Sequence, residues 1–158
     1  MSALDIDIAI GQLVVTAIGR DGSTTDTLNI KTVDTYPENI EATDCPILFP
    51  HPSNWKGEQV ATPRVWDTSE YNQKTHTDTL VYLFLYAQIG EDRGIHVFYK
   101  PATLMLNALE AKLMAMDVHM VGNVSVTFSP LGKQHEGVSG KDFVGCNVTV
   151  RATSQEET

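Results

Sequence analysis

Five histidines, two cysteines and two adjacent carboxylate pairs are the residues of this chain whose types could do chemistry. The histidines are His51, His76, His96, His119 and His135, the cysteines Cys45 and Cys146, and the pairs Glu91–Asp92 and Glu156–Glu157. An imidazole can move a proton near neutral pH, a thiolate can attack or bind zinc, and paired carboxylates can share acid and base roles. The spacing assembles none of these. No two histidines are close in sequence, and none stands at metal-site spacing from a cysteine. Asp92 and His96 are four apart, which would bring them together on a helix, but Gly94 between them predicts a turn. His51 behind a proline and His76 in a polar stretch read as isolated surface residues. Adjacent carboxylates on a loop or tail point apart and have no apolar surroundings to raise a pKa. The cysteines form no CxxC pattern and are expected as two buried, reduced thiols. GxSxG, GxGxxG and GxxxxGK[ST] are all missing, and Gly132–Lys133 lacks the strand and loop that a phosphate cradle needs. The expectation is a protein that is not an enzyme, with no catalytic or metal residues and no cofactor.

The bulk composition bounds what remains. The chain has 158 residues, 42% hydrophobic and 20% charged, which suits a single globular domain, drawn here as residues 1–152 with a short acidic tail at 153–158. Eleven Lys and Arg against 20 Asp and Glu give a net charge of −9. Scattered basic residues in an acidic chain argue against a protein that grips nucleic acid. The same sign suits solubility, and also a surface that DNA slides past without sticking. The longest apolar run, Leu80 to Ala87, has strand length and falls far short of a membrane span. The first residues lack the basic and apolar pattern of a secretion signal, so the triplets at Asn123 and Asn147 are not expected to carry sugar.

The elements that must position any site follow from periodicity. Ser2 to Asp5 could open a helix with Leu4, Ile8, Val15 and Ile18 on its apolar stripe, although Leu4 to Ile8 also alternates like a strand. The Gly19 to Gly22 stretch ends that element, and Ser23 to Thr27 reads as a polar loop. Leu28 to Thr35 reads as a strand closed by Tyr36 and Pro37. Cys45 to Pro52 is an apolar piece fenced by prolines, which predicts an edge strand or extended arm rather than a central strand. Residues 53–77 read as a long loop, with a strand near Val60 to Trp66. Thr79 to Gln88 is apolar on both faces and predicts a central, doubly covered strand. A turn at Glu91 to Gly94 and a returning strand at Ile95 to Tyr99 follow. Pro101 then opens a helix to Met116, with Met105, Leu106, Leu109, Leu113 and Met116 on a bulky face. Leu104, Ala108, Ala111 and Ala115 share its flatter face, which suits close approach of the first helix or of a neighbouring subunit. Val124 to Phe128 and Phe143 to Ala152 predict two closing strands joined by a loop at Ser129 to Gly140, and the acidic tail is expected to be disordered. The expected fold is α/β of the α+β kind: a small mixed or antiparallel sheet packed with one or two helices.

This order resembles the tail-terminator (tail-completion) proteins of long-tailed bacteriophages. There a first helix leads to a strand with a Tyr-Pro corner, then to a proline-fenced apolar segment, a variable loop, a strongly apolar strand, a helix and two closing strands. The matching stretches are Ile30 to Pro37 (IKTVDTYP), Asp44 to Pro50 (DCPILFP), Thr79 to Tyr86 (TLVYLFLY), the Pro101 to Met116 helix and the closing pair. The similarity spans nearly the whole chain but has no invariant signature, so no single functional residue is carried over. The resemblance implies a virion protein of the tail or neck, assembled in the host bacterial cytoplasm. It would form a ring of identical subunits, six in number, that caps the tail tube protein and offers a docking surface to the head–tail connector protein. DNA would pass through its channel without specific binding, and no membrane is involved. Alternatives are another neck component (a head-completion or connector-joining protein) or a small ligand-binding α/β domain.

Overall fold

The computed structural model describes residues 3–19, 25–37, 39–51, 65–70, 73–89, 95–116, 124–136 and 141–157. Two long antiparallel strands, β6 (Gln73–Gln88) and β9 (Lys141–Glu157), form its axis and pair from Gln73↔Glu157 to Gln88↔Phe143. The outer side of β6 is taken first by β4 (Ile47–Pro50) and further along by β5 (Val65–Glu70), both antiparallel to it. The outer side of β9 is taken by β7 (Val124–Phe128) and then β8 (Gly132–Glu136). A two-residue strand β3 (Asn29–Ile30) adds in parallel to β4 and makes the sheet mixed. The described residues also include helix α1 (Ala3–Gly11), helix α2 (Ile95–Met114) and a small hairpin of β1 (Thr16–Ile18) and β2 (Thr25–Thr27). The architecture is the expected α+β one.

The central strand explains the layering. Leu80, Tyr82, Phe84 and Tyr86 face the main core, with Ile6 and Ile10 of α1 and Phe98, Ala102, Met105, Leu106, Leu109 and Leu113 of α2. Leu83 and Leu85 face a smaller core with Ile40, Ile47, Phe49 and Phe143. Strand β6 is thus covered on both sides, as its two apolar faces require. A bulge between Leu85 and Ala87 makes one extra residue, so Ala87 joins Tyr86 on the main-core side instead of continuing the Leu83–Leu85 face.

Several local expectations are corrected. Helix α1 forms, but it ends at Gly11; Ile6 and Ile10 turn inward while Ile8 is exposed, so its apolar stripe is rotated from the expected one. The segment behind it, Thr16 to Ile18, is a strand, and Thr25 to Thr27 pairs with it instead of looping. Of the predicted Leu28–Thr35 strand only Asn29 and Ile30 pair as a strand; Val33 to Thr35 coils into a 3-10 turn whose Thr35 side chain accepts from the Thr32 N–H.

Strand β4 is not an edge: it lies between β3 and β6 with all four residues buried. The prolines permit this because of where their missing donors fall. His51 N–H bonds Val81 on the β6 side, while Lys31 N–H bonds Leu48 on the β3 side. Pro50 therefore points its N towards β3, just beyond the end of that strand, where no ladder bond is lost.

Residues 65–70 and 73–77 are ladder, not loop, and Val60 to Arg64 lie outside the described residues. Ile95 to Tyr99 is the start of α2, not a strand, and Pro101 sits inside the helix instead of opening it. Its missing N–H leaves the Val97 carbonyl unbonded within the helix, and Val97 is 45% exposed, where water can serve. The Ser129–Gly140 stretch contains β8, and β9 continues to Glu157 through the tail expected to be disordered. Glu91 to Gly94 lie outside the described residues.

Candidate functional site

The most constrained polar groups are two tyrosine–aspartate pairs on the main-core face of β6. Tyr82 and Tyr86 are four residues apart on a strand and point the same way, so each brings a phenol hydroxyl into the core that must find a partner. The Tyr82 hydroxyl donates to one carboxylate oxygen of Asp7, and the Val33 N–H donates to the other at 3.0 Å. Asp7 is 2% exposed and lies beside Ile6 and Ile10 on the inner face of α1. The Tyr86 hydroxyl donates to Asp26 of β2 at 3.1 Å. Burial, then the neighbouring Asp7 carboxylate and the hydrogen bond to it, hold the Tyr82 proton well above the ordinary phenol value.

A proton held that tightly is a poor general acid. The geometry instead ties three separate pieces of chain, α1, the 32–35 turn and the β1–β2 hairpin, onto the central strand. Sequence reading missed both aspartates. The available signal was Asp7 sharing a helical face with Ile10, together with two core tyrosines that each need a partner.

Among the described residues, those singled out for chemistry are distributed over several elements. His51 follows β4 and is half-buried, His76 is on β6, His96 is on α2 and His135 is on β8. His119, Glu91 and Asp92 lie outside the described residues, and Glu156 and Glu157 are successive positions of β9. Among the described residues no group of three His, Cys, Asp or Glu is placed to hold a metal ion. Cys146 is buried, and burial pushes its thiol up to about 12; Cys45 is only half-buried, with its thiol 3.9 Å from the Glu41 carbonyl.

No protein-family model and no curated protein matches the chain.

Helix α2 ends at Met114, short of the expected Met116. It buries Met105, Leu106, Leu109 and Leu113 of its bulky face, while Met116 is half-buried. Its flatter face stays open, with Leu104 36% exposed, Ala111 and the following Ala115 exposed, and Ala108 half-buried. Val97, Tyr99 and Met114 of the same helix are also exposed, as are Ile8, Val14 and Ile18. The first helix therefore does not cover the alanine face. An apolar helix face held rigidly by a buried opposite face is suited to contact with another protein surface.

Proposed function

We propose that this chain is a structural virion protein that caps the end of a phage tail tube as a ring of identical subunits and offers a docking surface to the head connector. The observation that carries the reading is the order of elements: α1, β3 leading to Tyr36–Pro37, the proline-bracketed β4, β6, α2, then β7 and β9. That is the order on which the tail-terminator resemblance rests. Head-to-tail contact in a closed ring needs two different patches per subunit, and the open alanine face of α2 supports one of them. The β5–β6–β9 ladder runs some seven residues per strand beyond Leu80, roughly 20 Å, and in this reading it reaches along the tube axis. The acidic balance of −9 suits a channel that DNA crosses without stopping.

Electron microscopy of particles lacking the protein tests the reading. Unattached tails of abnormal length are expected. Filled heads that leak DNA, beside normal tails, would instead indicate a head-completion or connector-joining part.

A further inference from the structure

Strand β7 has an open side whose phase can be worked out. The Ser129 N–H donates to the Asn147 carbonyl at 2.9 Å, and the register pairs Thr127 with Thr149 and Ser125 with Arg151. In an antiparallel ladder alternate residues exchange bonds, so Ser125, Thr127 and Ser129 turn their backbone groups towards β9. The far side of the sheet gives the same phase: Val81 accepts from His51, away from β9, which turns the backbone of its partner Thr149 towards β7. Val124, Val126 and Phe128 therefore point their N–H and C=O groups outward, and among the described residues nothing pairs with them.

Exposed edges are normally blunted by charge, proline, glycine bulges or shortness. The neighbouring β8 carries Lys133 and Glu136, and Lys133 pairs with Asp142 at 3.1 Å. On the opposite side β5 carries Asp67 and Glu70, and β3 is two residues long. Strand β7 reads Val-Ser-Val-Thr-Phe and has none of these devices.

We infer that β7 docks the β7 strand of a second copy of this chain, antiparallel, about a two-fold axis through Val126. The sequence is self-complementary in that arrangement. Val126 meets its own copy, Val124 meets Phe128, and Ser125 meets Thr127, so apolar faces apolar and hydroxyl faces hydroxyl. All three outward residues become bonded pairs, giving about six ladder bonds. No charge opposes a like charge, which matters for two chains of −9 each. Val126 and Phe128, half-buried in the single chain, gain cross-strand neighbours on the side where α2 packs. The inference goes beyond the ring reading and does not depend on it. A two-fold contact uses the same patch on both copies, whereas ring closure is head-to-tail, so β7 would join two chains or two rings.

The test is amide hydrogen exchange on the full chain across a wide concentration range, with light scattering in parallel. Ser125 and Thr127 amides should be protected throughout, because they bond β9. Val126 and Phe128 amides should gain protection as concentration rises. Val126→Pro removes an outward donor together with the half-buried valine side chain, and Val126→Lys places like charges face to face. Each should weaken association by about tenfold or more with circular dichroism unchanged. The control Gln12→Lys, at an exposed position just past the end of α1, should not. Should a variant misfold, the wild-type exchange pattern decides alone. Free exchange at Val126 and Phe128 at every concentration, or association unaltered in both folded Val126 variants, would overturn the proposal. Failure to bind tube ends would touch the ring reading and leave this one standing.

Discussion

Removing the Tyr82 hydroxyl takes one of two donors from a carboxylate that is 2% exposed. Tyr82→Phe should therefore lower stability by about 1–3 kcal/mol, the usual cost of a buried polar group losing its partner. Urea denaturation measures it, and Tyr86→Phe should cost less because its bond to Asp26 is only part-buried. The same phenol gives a pH dependence with a definite sign. Its folded pKa lies above the ordinary 10.0, so the folded chain keeps a proton that the unfolded chain gives up. The contribution is whole below pH 10 and falls away as pH climbs towards the folded value. Cys146 acts in the same direction, whole below pH 9.0 and lost as pH rises through about 12. Urea midpoints taken at successive alkaline pH values should fall in the wild type and fall less steeply in Tyr82→Phe. An identical slope in both would show that Tyr82 ionises as it does in the unfolded chain.

Among the elements, the β6–β9 crossing offers the sharpest case. A Cβ added at Gly145 would fall on the Phe84 carbonyl oxygen, far inside van der Waals contact, next to the bulge at Tyr86. Because the obstacle is backbone, it cannot rotate away. Gly145→Ala should cost about 1–3 kcal/mol or more, read from thermal or urea unfolding. Helix α2 gives the opposite expectation. Ala111 is exposed, so Ala111→Arg should change folding stability by no more than about 0.5 kcal/mol. If the alanine face is a ring contact, the variant stays folded but no longer forms rings in light scattering. Rings of wild-type size would remove that face from the assembly. The bulky face of α2 is legible in the sequence because Met105, Leu106, Leu109 and Leu113 repeat at helical spacing. Its first turn is not, because Pro101 is the stronger local signal for a helix start. Only packing of Phe98 and Ala102 against the sheet carries the helix back to Ile95.

For the whole molecule, the net charge of −9 sets a general repulsion between copies. Salt shortens the range of that repulsion to about 8 Å at physiological ionic strength. Raising ionic strength from low values should therefore strengthen self-association, whichever surface mediates it. Light scattering at fixed protein concentration and increasing salt measures this, and dissociation on adding salt would instead point to an interface held by opposite charges. The two longest strands also run on past their apolar stretches: β6 and β9 stay paired from Leu80 out to Gln73 and from Val150 out to Glu157. By composition alone those polar stretches resemble loop and tail. Backbone pairing needs no apolar side chains, and a strand that starts in the core can propagate outward on its neighbour's hydrogen bonds alone.

By itself, the sequence determined the apolar part of the central strand, the buried face of α2, the position of β7, the apolar part of β9, the α+β class and the acidic balance. Each depends on local periodicity or on composition, which no distant contact is needed to reveal. The candidate surface was half legible: the alanine face of α2 could be named, but not whether α1 covered it. Tertiary structure decided that α1 instead commits its inner face, with Ile6, Asp7 and Ile10, to β6. It also decided that the proline-fenced β4 is internal, and that the outward groups of β7 are unpaired among the described residues. These depend on which strands meet and in what register, and register is fixed by pairing between residues far apart in the chain.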